Sequence, residues 1–177
     1  MDIKNDMLML FMKEPEREFH VREIARIIRK SPTTISKYLK QYEREGLLNS
    51  EKKLNHLVFK ASGNQEFKQI KLNHNLKLIK ESGLVDFLIE EYSPEAIVLF
   101  GSFAKAENTP KSDIDLLIIS SKKNQPSLSK FESKLNHKIQ LFIHSKDEIN
   151  KFSKTNKELV NGWINGIKIY GFFEVFR

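Results

Sequence analysis

Through the first half of the chain the apolar positions recur at helical spacing, and beyond residue 95 they gather into short unbroken runs. Met7, Leu8, Phe11 and Met12 form one stripe, which Pro15 closes. Val21, Ile24, Ala25 and Ile28 fall at i, i+3, i+4 and i+7, which predicts a second amphipathic helix. Ser31-Pro32-Thr33-Thr34 reads as a third helix start, with Ser31 as N-cap and Pro32 at the first helical position. That helix buries Ile35, Leu39 and Tyr42, and Gly46 is placed to end it. Leu47-Leu48-Asn49-Ser50 and Leu57-Val58-Phe59-Lys60 then flank a polar tip, as the arms of a hairpin do. From Gln65 onward Phe67, Ile70, Leu76 and Ile79 keep a roughly helical spacing until Ser82-Gly83 breaks it. Leu84, Val85, Phe87, Leu88 and Tyr92 make a further helix, ended before Pro94.

Ala96-Ile97-Val98-Leu99-Phe100 and Leu116-Leu117-Ile118-Ile119 do not alternate, so each reads as a strand covered on both faces. Pro126 to Leu135 reads as a helix, 137–143 as a strand and Asn156 to Asn165 as a helix. Ile167 to Phe176 reads as a final strand or extended cover. The fold class these elements predict is α+β in two domains. Residues 1–64 form one domain, 65–83 a linker helix, and 84–177 an α/β domain with a mixed sheet.

Between the two buried strands lies the chemistry. Gly101-Ser102 turns directly after the first strand, and Asp113 and Asp115 stand at the head of the second. Residues two apart on a strand project to one side, here roughly 6–7 Å apart. Two carboxylates at that separation can share a magnesium ion, which keeps its other positions for water and phosphate. Gly101 has no side chain to keep a phosphate from the backbone, and Ser102 adds a hydroxyl and an N–H. Lys105 adds a positive charge one turn on. The predicted site is one for a metal-bound nucleotide.

Gly101-Ser102, Lys105-Ala106 and Ser112-Asp113-Ile114-Asp115 together resemble the signature of minimal nucleotidyltransferases in the DNA polymerase beta-like superfamily. The resemblance covers residues 84 to 176. It implies that Gly101, Ser102, Lys105 and Ser112 contact the nucleotide phosphates, and that Asp113 and Asp115 are catalytic and hold Mg²⁺ or Mn²⁺. It further implies transfer of a nucleoside monophosphate from ATP, or another NTP, to an unknown acceptor. Two positions depart from the pattern. The family's Arg-Gly is Lys105-Ala106 here, which keeps the charge and loses the forked guanidinium. The third carboxylate that such enzymes carry on the next strand is replaced by Gln140, whose neutral amide cannot take a proton. The alternative function is therefore a catalytically impaired, nucleotide-responsive regulator of transcription; the resemblance also implies an antitoxin-like protein that acts on a partner protein.

Charge separates the two halves. Residues 1–80 hold 17 Lys and Arg against 10 Asp and Glu, so the chain's whole excess of +7 lies there. That excess fits a polyanionic partner. Thr33, Lys37, Lys40 and Arg44 form a polar and basic stripe opposite the core of the third helix, and Thr34 lies in its first turn. Arg22 and Arg26 do likewise on the second helix, and Lys52 and Lys53 sit in the hairpin tip. Residues 4 to 62 resemble a winged helix-turn-helix domain of small prokaryotic regulators, which implies binding to double-stranded DNA, commonly as a homodimer. With 40% hydrophobic residues the chain can fill two small cores. It has no apolar run long enough for a membrane span and no apolar leader at its N-terminus, so a cytoplasmic location is expected. Zero cysteines exclude disulfides and thiolate chemistry. The five histidines lack metal-ligand spacing and read as surface imidazoles.

Overall fold

The computed structural model of the protein describes residues 3–54 and 56–172. They form two compact units, divided between Lys71 and Leu72. The first comprises α1 (Ile3–Lys13), β1 (Phe19–His20), α2 (Val21–Ile28), α3 (Pro32–Arg44), β2 (Leu48–Lys53) and β3 (His56–Ala61). Arg29 takes up a left-handed conformation to stop α2, and Ser31 Oγ accepts from the Thr34 N–H to start α3. The tight turn between the helices follows from those two residues. Met7, Phe11, Phe19, Ile24, Ile35, Leu39 and Phe59 fill the core, with the rings of Phe11 and Phe19 edge to face at 5.0 Å. The three strands pair antiparallel in the order β1-β3-β2, so the β2–β3 hairpin follows α3 directly.

α4 (Gln65–Ser82) begins in the first unit, where Phe67 joins that core. From Leu72 on it belongs to the second unit, where Ile79 is buried. The second unit continues with α5 (Leu84–Tyr92), β4 (Ala96–Phe100), α6 (Gly101–Ala104), β5 (Ile114–Ile119) and α7 (Ser129–Leu135). It closes with β6 (Ile139–His144), α8 (Lys146–Thr155), α9 (Lys157–Ile164) and β7 (Ile167–Gly171). The sheet order is β6-β5-β4-β7, with β5 and β6 parallel and the other pairs antiparallel, so the sheet is mixed. Both its faces are covered, as the unbroken apolar runs require. Ile97, Leu99, Leu116 and Ile118 pack with Leu84, Leu88 and Phe131. Val98, Leu117 and Ile119 pack with Ile149, Val160 and Trp163 on the opposite face.

Three local expectations are corrected. α7 starts at Ser129 rather than Pro126, and its N-terminal neighbours are irregular. α8 was not expected. Its start is a capping box in which Ser145 Oγ accepts from the Glu148 N–H and Glu148 Oε2 accepts from the Ser145 N–H. His137 and His144 are not plain surface imidazoles, since both are partly buried and packed against aromatic rings. The final strand is observed over Ile167–Gly171, and 173–177 lie outside the described residues. Among the described residues no helix is long and apolar enough to cross a membrane.

Candidate active site

The site begins where β4 ends. Antiparallel pairing sets Phe100 opposite Asp115, and the chain turns away at the next residue, Gly101, with φ of +69°. That conformation is open to glycine and strained for a side chain. A Cβ at Gly101 would overlap Oδ2 of Asp115 and lie 3.2 Å from its Cγ. The turn and the carboxylate are therefore in direct apposition. Ser102 follows in the single turn α6, half-buried, and Lys105 caps that turn with its side chain exposed.

Asp113 lies one residue before β5 and is exposed, while Asp115 is half-buried. Burial, and secondarily the charge of Asp113, holds the Asp115 carboxyl above its ordinary value. On the other side of β5, parallel pairing sets Gln140 in register with Asp115. Gln140 is exposed at the head of β6. The donor set is thus two carboxylates with an amide in register beside them. Among the described residues no group of three or more His, Asp or Glu side chains gathers to cage a metal. Two carboxylates suffice for one magnesium ion that keeps water and phosphate as its other ligands, so the residues fit a single divalent cation.

The loop between the turn and the acids is pinned by side chains that sequence reasoning passed over. Asn75 on α4, almost fully buried, donates through Nδ2 to the Phe103 carbonyl at 3.1 Å and to Asn108 Oδ1 at 2.8 Å. Ser112 Oγ accepts from the Thr109 N–H, and the Ser112 carbonyl accepts from His137 Nδ1 at 2.8 Å. The His137 ring stands edge-on to Phe103 at 4.9 Å. Ser112 therefore serves the loop's own turn, beside its expected place near phosphate. Nothing in the local sequence marks Asn75 or His137, because both act on residues more than twenty positions away. Ala106 has φ of +56°, at the position where the resemblance expects glycine. Asp147 and Glu148 lie in α8, where Lys123 holds Glu148 at 2.5 Å and contributes first to lowering its pKa to about 2.

The residues singled out for DNA in the first unit divide into two groups. Arg22, Arg26, Thr33, Lys37, Lys40, Arg44 and Lys52 are exposed, on α2, α3 and β2. Thr34 is half-buried with its hydroxyl 2.8 Å from that of Ser31, and Lys53 is tied to Glu18 at 2.5 Å.

The family model described as "Polymerase beta, Nucleotidyltransferase" matches residues 82–171, just over half of the chain. The protein belongs to this nucleotidyltransferase family. A Methanocaldococcus jannaschii protein named "Putative protein adenylyltransferase" is 41% identical over 44 residues, which is 25% of this chain and 44% of that relative. The match thus spans less than half of that relative's length. No solved structure matches the chain significantly.

Proposed function

We propose that the protein transfers a nucleoside monophosphate, with ATP as donor, from the magnesium-bound nucleotide to a hydroxyl of another protein. The observation that carries this reading is the apposition of Gly101 and Asp115: a turn open to phosphate lies against one of two neighbouring carboxylates. The preference for ATP and for a protein acceptor is supported by the name of the archaeal relative. Asp113 and Asp115 would hold a divalent cation, which would supply polarisation of the α-phosphate and neutralisation of the charge that develops there. The chain's own residues do the rest. Gly101 lets the triphosphate approach the backbone, Ser102 and Lys105 meet its oxygens, and the Asn75 and His137 hydrogen bonds hold the turn and the acid loop in place.

A second reading is favoured by Gln140, whose amide cannot serve as the base that a third acid would provide. In it the domain binds nucleotide without transferring it. ATP labelled at the α-phosphate, with magnesium or manganese and a lysate fraction as acceptor, separates the two. We expect wild-type protein to leave label on protein. We expect Gln140→Ala to change the rate by less than about tenfold, well below the ~10²–10⁴ that removal of a general base costs. No label from wild type, with label appearing after Gln140→Asp, identifies the second reading.

The first unit is proposed to be a winged helix-turn-helix that binds duplex DNA. Its support is the exposed row Thr33, Lys37, Lys40 and Arg44 on α3, followed by the β2–β3 hairpin. Lys53, also proposed to face DNA, pairs with Glu18 and Glu51 at the surface. Lys37→Ala with Lys40→Ala should weaken binding to any duplex. It should also reduce the slope of log affinity against log salt by about 2. Fluorescence anisotropy of a labelled duplex across a salt series reads both, and an unchanged slope excludes α3 as the contact.

A further inference from the structure

A depression of about 540 Å³ opens beside Asp113, walled by the loop that carries Asp113 and by the end of α7. Lys111, Ser112, Asp113, Glu132, His137 and Lys138 are among its lining residues. Neither Gly101 nor Ser102 lines it, so it is separate from the turn that meets phosphate. Asp113 belongs to both the depression and the carboxylate pair. Lys111 and Lys138 are exposed, and neither has an ion-pair partner among the described residues. Glu132, the other acid in the wall, accepts through Oε1 from the Ile139 N–H at 3.0 Å and keeps its charge. The lining sets Lys111 and Lys138 against Glu132 and Asp113, so its cationic character is confined to the two unpaired lysines.

His137 has a defined tautomer. A carbonyl oxygen can only accept, so the 2.8 Å contact with Ser112 O requires the proton on Nδ1. In the neutral ring Nε2 then carries a lone pair. We propose that this depression is the acceptor site, taking a hydroxyl-bearing side chain flanked by acidic residues of a protein segment, and that His137 Nε2 receives the hydroxyl proton. This rests on the transfer reading above, and it supplies the base that position 140 lacks. In the step, the acceptor oxygen forms a bond to the α-phosphorus as the bond from that phosphorus to the bridging oxygen breaks. The bridging oxygen leaves with the electron pair as pyrophosphate, and the hydroxyl proton passes to Nε2. Lys111 and Lys138 fix the acidic flanks, which selects the segment and aims its hydroxyl at the side of Asp113.

The test titrates the full-length, isotopically labelled protein with three probes and follows its backbone amides by NMR. The probes are a blocked Glu-Tyr-Glu peptide, a blocked Lys-Tyr-Lys peptide and a short single-stranded RNA with a free 3′ hydroxyl. The acidic peptide should saturate shifts at Lys111, Ser133 and Lys138. Lys111→Glu with Lys138→Glu should weaken it at least about tenfold and admit the basic peptide instead. His137→Asn keeps a donor for the Ser112 carbonyl and removes the base. It should still seat the acidic peptide at the same amides, yet label its tyrosine about a hundredfold more slowly, with partial rescue by added imidazole. The proposal is overturned if the acidic peptide shifts other residues or none, or if the RNA seats there in its place. Wild-type rates in His137→Asn overturn the proton-accepting role. Should the peptide seat as expected while wild type labels no acceptor at all, the docking site stands and the transfer reading falls.

Discussion

Gly101→Ala is expected to reduce nucleotidyl transfer by at least about a hundredfold while leaving the fold intact. Two independent penalties meet at this residue. The backbone is held at φ of +69°, where a Cβ costs roughly 1–2 kcal/mol. The same Cβ would overlap Asp115 Oδ2, so the carboxylate must swing away or the turn must move. Either motion separates the backbone proposed to face phosphate from the proposed cation ligand, and displacements of about 1 Å at such sites cost about a hundredfold. The strain is local, because α6 is a single turn and Phe103, the buried anchor of that turn, is untouched. Circular dichroism and thermal melting should therefore show a folded protein with modestly lowered stability. Transfer from α-labelled ATP supplies the readout, and a rate within about threefold of wild type would show that Gly101 is not at the phosphate. Gly83 is the matched control. It also has positive φ, but a Cβ there meets nothing within 4 Å, so Gly83→Ala should carry the strain without the loss of activity.

Much of this site was legible because its parts are contiguous. Gly101, Asp113 and Asp115 are separated by a short stretch, and the unbroken apolar runs on either side predicted the two buried strands that β4 and β5 turned out to be. The first helices were legible for the same reason, since their caps and stripes are local: Ser31 caps α3 through the Thr34 N–H. What the sequence hid depends on contacts between distant positions. Asn75 fastens the Phe103 carbonyl from 28 residues away, and it looks like any polar residue on an amphipathic helix. His137 resembles a stray surface imidazole until pairing of β5 with β6 brings the end of α7 beside Ser112. α8 is hard to read from sequence although Ser145 and Glu148 form a capping box, because Ile149 and Phe152 are its only large apolar positions. Ala106 is instructive in a different way. The family pattern asks for glycine there, and the positive φ at Ala106 gives the physical reason, a strain this chain tolerates.

Asp115→Asn should do two opposite things: remove transfer and stabilise the fold. The loss should exceed about a thousandfold, because the amide neither neutralises the cation nor holds it at the α-phosphate. Asp113→Asn should lose as much. The gain in stability follows from the sign of the shift. Burial and then Asp113 hold the Asp115 carboxyl above its ordinary 3.8, so the folded state takes up a proton more readily than the unfolded one. At neutral pH the group is ionised in both states, and its charge opposes folding. Replacing it with a neutral isostere removes that opposition, and the variant should melt higher than wild type at pH 7 in the presence of a chelator. The difference should shrink as pH falls through the raised value and vanish below about 3.8, where both states are protonated. Adding magnesium with a non-hydrolysable ATP analogue should reverse the ranking, because only wild type gains the linked binding energy. Melting curves across pH, with and without that ligand pair, test the whole sequence. An Asp115→Asn protein that melts lower at pH 7, or that gains as much from the ligand as wild type does, would show that this acid is part of the scaffold and not a cation ligand.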